Sequence, residues 1–101
     1  MYTNIIDSYR TVIAIADKEL IGKKFEEGEK QLEIKESFYK GEQKEPKSIE
    51  EVDKIMEDWN KEDATFNIVG EKSINLALKK EIITQGSIKK IKNIPYALIL
   101  L

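Results

Sequence analysis

Histidine and cysteine are both absent from the 101 residues. Together these absences remove the side chains on which most recognisable catalytic and metal centres are built. No Ser-His-Asp or Cys-His arrangement is available, and no zinc or haem site of the usual kind. What is left for chemistry is carboxylates, lysines, tyrosines and hydroxyls. Without cysteine there are no disulfide staples, so the fold is indifferent to redox compartment. Arginine is almost missing as well: Arg10 is the single example, and the rest of the positive charge is lysine. No stretch approaches the length of a membrane span, and MYTNIIDSYR (residues 1–10) has no basic segment followed by a long apolar one. The expected location is cytoplasmic.

Apolar residues make up 41% of the chain and charged residues 36%, too hydrophobic for disorder yet demanding a densely charged surface. At this length one core is the limit, so residues 1–101 are read as a single α+β domain. The Lys/Glu bias suits a thermophile or an AT-rich genome equally well. The net charge of −2 hides a segregation: residues 42–63 carry nine acids and four lysines, whereas residues 71–101 carry six lysines and two glutamates. Two faces of opposite sign are expected.

YTNII (2–6) and TVIAIA (11–16) are short and β-branched, and DSYR between them favours a turn, which gives a hairpin. Asp17 is placed to cap a single helical turn through Leu20 and Ile21 that Gly22 ends. QLEIKE (31–36) alternates polar and apolar, so Leu32 and Ile34 face inward on a third strand. Phe38 and Tyr39 follow, pointing to opposite sides. KGEQKEPK (40–47) reads as an exposed connection. SIEE, from Ser48, is a capping box. Ile49, Val52, Ile55, Met56 and Trp59 then form one apolar stripe of a helix ending near Asn60, which makes Trp59 a packing residue before a base-stacking one. A second helix runs from Ala64 or Gly70 to Lys80, with Gly70 marking a break. SIKKI (87–91) and YALILL (96–101) flank KNIP as a closing hairpin, and the run ALILL reads as a central strand or one covered by a partner. Strands, helices and strands in that order predict α+β: a two-layer sandwich whose mostly antiparallel sheet of about five strands is backed by two helices on one face.

Three blocks of the chain carry a resemblance. DKELIGKKFEEGEKQLEIKESFYKG (17–41), NIVGEKSINLAL (67–78) and IPYALIL (94–100) resemble the signature blocks of a small archaeal family, domain-of-unknown-function family 424. The resemblance implies an archaeal source and a two-layer α+β fold, and it brings no reaction or ligand. It also implies a histidine just after the proline of the last block, where this chain has Tyr96.

Apparent motifs thin out on inspection. VGEKS (69–73) and IGKKF (21–25) set glycine near lysine, but neither has the second glycine that a P-loop needs. Glu26, Glu27 and Glu29 beside Lys23 and Lys24 offer oxygen ligands for Mg²⁺, yet a charge run of this kind ordinarily serves as a solvated face. Two binding readings remain. Lys72, Lys79, Lys80, Lys89, Lys90 and Lys92, with Lys23, Lys24 and Tyr39, form a candidate nucleic-acid face in which lysines neutralise phosphates and the aromatic stacks on a base. Alternatively, Glu50, Glu51, Glu57 and Asp58 meet a basic protein, or ALILL at a sheet edge supports a homodimer. The sequence-level expectation is a binding module without a cofactor, RNA- or ribonucleoprotein-associated, in translation or RNA processing. A lysine- or carboxylate-dependent enzyme ranks third.

Overall fold

The computed structural model describes residues 1–7 and 9–99; Ser8, in the first expected turn, and the last two residues of ALILL lie outside the described residues. The β-branched segments form β1 (Tyr2–Ile6) and β2 (Val12–Ala16), paired antiparallel with Tyr2 opposite Ala16. Every residue of β2 after Val12 is buried, so this strand is covered on both faces.

The charged stretch after Gly22 forms a strand. β3 (Lys24–Glu27) and β4 (Lys30–Glu33) make a separate two-stranded sheet, with Gly28 at φ +62° in their turn. The third strand expected from Gln31 therefore exists, but it is paired with the charged segment before it. Only Phe25 and Leu32 of this ribbon are half-buried, and its first strand, KFEE, has one apolar residue and so no alternation to read. A single turn, α1 (Glu36–Tyr39), follows, and the ring centroids of Phe38 and Tyr39 lie 5.0 Å apart, edge to face.

α2 (Ile49–Lys61) opens with the expected capping box: Ser48 Oγ accepts from the Glu51 amide at 3.2 Å, and Glu51 Oε1 accepts from the Ser48 amide at 3.1 Å. Val52 and Met56 are fully buried, and Ile55 and Trp59 pack at the margin of that core. Ile49, expected on the same inward stripe, is the first residue of the helix and is 57% exposed. The second expected helix divides at Gly70: TFNIV is β5 (Thr65–Val69), and α3 (Glu71–Lys79) starts after the glycine. Val69 is thus a strand residue. α3 ends with Lys80 and with Glu81 at φ +60°, whose amide bonds Leu78 O while that of Ile82 bonds Ala77 O. β6 (Lys89–Ile91) and β7 (Ile94–Ile99) close the chain through Lys92 and Asn93, both at positive φ as a tight hairpin turn requires.

The main sheet has the order β1-β2-β5-β7-β6, with β2 and β5 parallel and the other pairs antiparallel. One face, with Ile13, Ile15, Phe66, Ile68 and Ala97, carries α2 and α3. The other, with Ala14, Ala16 and Val69, carries α1 and the β3–β4 ribbon through Leu20, Ile34 and Tyr39. The fold is mixed α+β, with both helices of more than one turn on one face of an open five-stranded sheet. β7 lies between β5 and β6, so it is not the edge that pairing to a second copy needs. The outer edge of β1 is partly covered by the 40–47 connection: the Lys47 amide donates to Met1 O at 2.6 Å, and Gln43 Nε2 to Thr3 O. Among the described residues no helix is long and apolar enough to cross a membrane.

Candidate nucleic-acid interface

The parallel strands β2 and β5 end side by side, and the chain turns there into α3. A helix start leaves unpaired amides that demand an acceptor. Gly70 precedes α3 and has no side chain to offer, so the acceptor comes from the residue just after β2. Asp17, 3% exposed, takes the Lys72 amide on Oδ2 at 3.0 Å, and on Oδ1 the Ser73 amide at 2.9 Å and the Ser73 hydroxyl at 2.7 Å. The cap expected for the turn after Asp17 is not made there: that 3-10 turn (Lys18–Leu20) has no side-chain cap bond, and the carboxylate serves α3 instead. This arrangement explains VGEKS in structural terms. Where a P-loop holds a phosphate at a helix start, this helix start already holds a carboxylate.

Gly70 makes the approach possible. Its φ of +108° lies where L side chains are strained, and a Cβ would sit 2.3 Å from Asp17 Cγ. Its amide donates to Pro95 O at 2.9 Å, while the Asp17 amide donates to Val69 O at 3.1 Å. Asp17, Gly70 and Pro95 belong to the three sequence blocks singled out above, and these backbone bonds join them at one end of the sheet. A family model, Protein of unknown function (DUF424), matches residues 6–101. The chain belongs to the DUF424 family. A solved structure, that of an uncharacterized conserved protein from Methanopyrus kandleri, superposes with a TM-score of 0.81 at 19% identity, covering 97% of this chain and 88% of that one. At that identity the likeness speaks to the fold. No curated protein matches the chain.

Within this DUF424 fold the lysines fall into separate groups. Lys72 and Lys79 are exposed on the outer side of α3, with Asn75 between them. On one flank of that stripe lies a groove of about 310 Å³ formed by Met1, Ile49 and Leu76 with Lys72 and Lys79. It adjoins a concavity that includes Lys18, Glu19 and Lys47. On the other flank a cleft separates α3 from the β6–β7 turn, and Lys90 lines it. Lys80 is drawn away: its ammonium lies 2.8 Å from Asp53 of α2, and that hydrogen bond raises its pKa. Lys89 occupies a register position opposite Tyr96 on the ribbon side of the sheet. Lys23 and Lys24 are exposed near the ribbon, Lys24 lies 3.5 Å from Glu26, and the Lys92 amide donates to Glu27 at 3.4 Å. The expected continuous lysine face is therefore divided by strand β6. Among the described residues no cluster of three or more carboxylates is placed to hold a metal ion.

Tyr39 drops out of the interface. It is 6% exposed beneath the sheet, and burial raises its phenol pKa, so its ring has no surface on which to receive a base. Tyr96, where the family resemblance implied histidine, is half-buried on that same ribbon face, away from the α3 cleft. On the acidic helix, Glu51 is committed to the cap of α2 and Asp58 pairs with Lys54 at 3.0 Å. Glu50 and Glu57 remain as its exposed acids without such commitments. Sequence reasoning missed Asn75, Gln85 and Asn93, which share the α3 cleft with Lys90. Their only signal was carboxamides recurring among the lysines of residues 72–92 and just after the last of them.

Proposed function

We propose that this protein is a binding module for RNA or a ribonucleoprotein, acting in a cytoplasmic, archaeal setting linked to translation or RNA processing. It engages phosphates through the outer side of α3. The observation that carries the reading is the Lys72–Asn75–Lys79 stripe, exposed between two concavities that bring Lys18 and Lys47 to one flank and Lys90 to the other. Ammonium groups on a helix flank neutralise a phosphate backbone without reading its sequence. Roughly three such contacts imply a log-log salt slope of about −2 to −3. The acidic side of α2 is the weaker partner surface, because two of its four acids are already engaged within the helix.

The test is sedimentation of the tagged protein in lysate of its source, at low and high salt, with and without ribonuclease. Comigration with RNA-containing particles that is lost at high salt, after ribonuclease, and in the Lys72→Glu/Lys79→Glu variant supports this reading. Migration as a small free species under every condition refutes it.

A further inference from the structure

Building on the RNA reading, we propose that the cleft between α3 and the β6–β7 turn receives one unpaired nucleobase of the bound strand. The cleft encloses about 310 Å³, at the small end of ordinary ligand sites. Its inner wall is apolar, with Ile74, 2% exposed, and Leu78 from α3. Its rim is polar in a particular way: the carboxamides of Asn75, Gln85 and Asn93 converge there with one ammonium, Lys90, and one carboxylate, Glu71.

A bare phosphate is a poor match for a rim that includes Glu71, and an aliphatic ligand would make no use of the three carboxamides. A nucleobase has what the cleft asks for, with apolar faces and an edge of alternating donors and acceptors. Each carboxamide both donates and accepts. Asn or Gln pairs with two positions of adenine, Lys donates to guanine, and Glu accepts from an exocyclic amine. Lys90 and Glu71 together suit a base that displays an acceptor beside a donor. Among the described residues no aromatic lines the cleft, so recognition falls on the base edge rather than on stacking. Asn75 borders both the cleft and the lysine groove. A base entering here leaves its flanking phosphates beside Lys72 and Lys79, two helical turns apart, about 10 Å along the axis.

The experiment is fluorescence anisotropy with labelled eight-nucleotide rA, rC, rG and rU and an RNA duplex. Three proteins are compared: the parent, Asn75→Leu/Gln85→Leu, and Lys72→Glu/Lys79→Glu. Both cleft residues to be changed are exposed, so folding, checked by circular dichroism, is not at stake. The expected result is a preference of about tenfold for one homopolymer over the weakest. The leucine variant brings the preferred homopolymer down to the level of the others, and the glutamate variant weakens all four and flattens the salt dependence. Binding of all four within twofold in parent and leucine variant alike, or tighter binding of the duplex, overturns the cleft assignment and leaves the RNA reading standing. If no oligonucleotide binds, both fall.

Discussion

Replacing Gly70 by alanine tests the device that sets the start of α3. The residue sits at φ +108°, ψ 152°, a region essentially reserved for glycine, and forcing a side chain into it costs about 1–3 kcal/mol. The added Cβ would also lie 2.3 Å from Asp17 Cγ and 2.6 Å from Oδ2, so the carboxylate must move. It then loses the Lys72 and Ser73 amides, a loss comparable to removing an N-cap, about 0.5–2 kcal/mol. The Ser73 hydroxyl, fully buried, is left short of its acceptor at a further cost of about 1–3 kcal/mol. Allowing for partial relaxation, the substitution is expected to cost about 3–5 kcal/mol, lowering Tm by roughly 15–30 °C in a domain of this size. Urea titration followed by Trp59 fluorescence and by far-ultraviolet circular dichroism reads the loss directly. The clash is specifically with Asp17, so Asp17→Gly should cost less in the Gly70→Ala background than in the parent, with a coupling of about 1–3 kcal/mol. A Gly70→Ala protein within about 0.5 kcal/mol of the parent, or strictly additive costs in the double variant, would refute the assignment of Asp17 as the cap of α3.

Glu81→Gly should stabilise by about 0.5–1 kcal/mol, seen as a higher urea midpoint, because Glu81 holds a positive φ at the C-terminus of α3 where glycine is unstrained. Hydrogen bonding from the Ser48 amide and hydroxyl holds the Glu51 carboxyl below its ordinary pKa. Its contribution is therefore present above the ordinary glutamate range and lost as pH falls through the lowered value, and Glu51→Gln should flatten that part of the acid limb of a stability profile. Burial raises the Tyr39 phenol, so stability should fall as pH climbs from the ordinary tyrosine value toward the raised one. Tyr39→Phe should remove that alkaline loss, and spectrophotometric titration should show one fewer late-ionising tyrosine.

The capping box, the apolar stripe of α2, the first hairpin and the closing hairpin were legible in the sequence because each is a local signal, carried by residues within a few positions of one another. The β5 strand was not. TFNIV runs within a few residues into the helical NLAL, and the boundary falls on a glycine whose role depends on a carboxylate more than fifty positions earlier. Asp17 illustrates the same limit, since capping chemistry was correctly read from its position after β2 but attached to the wrong helix. The lysines were legible as a charge excess and illegible as a surface. Lys80 faces Asp53, and Lys89 lies across β6 from α3, for reasons that exist only once the sheet order is known.

The occupied helix start also constrains how this protein can hold an anion. A phosphate at the first turn of α3 would have to displace Asp17, which is buried and satisfied by three donors. On the proposed RNA reading, phosphates would therefore be left to Lys72 and Lys79 on the helix flank, where water screens each contact and salt competes. The whole chain carries a charge of −2, so its net charge does not draw RNA in. Backbone contacts alone would then give weak, salt-sensitive association. On the RNA reading proposed above, retention at physiological ionic strength would have to come from a contact that salt does not compete away, which is the role proposed for the polar-rimmed cleft beside Asn75.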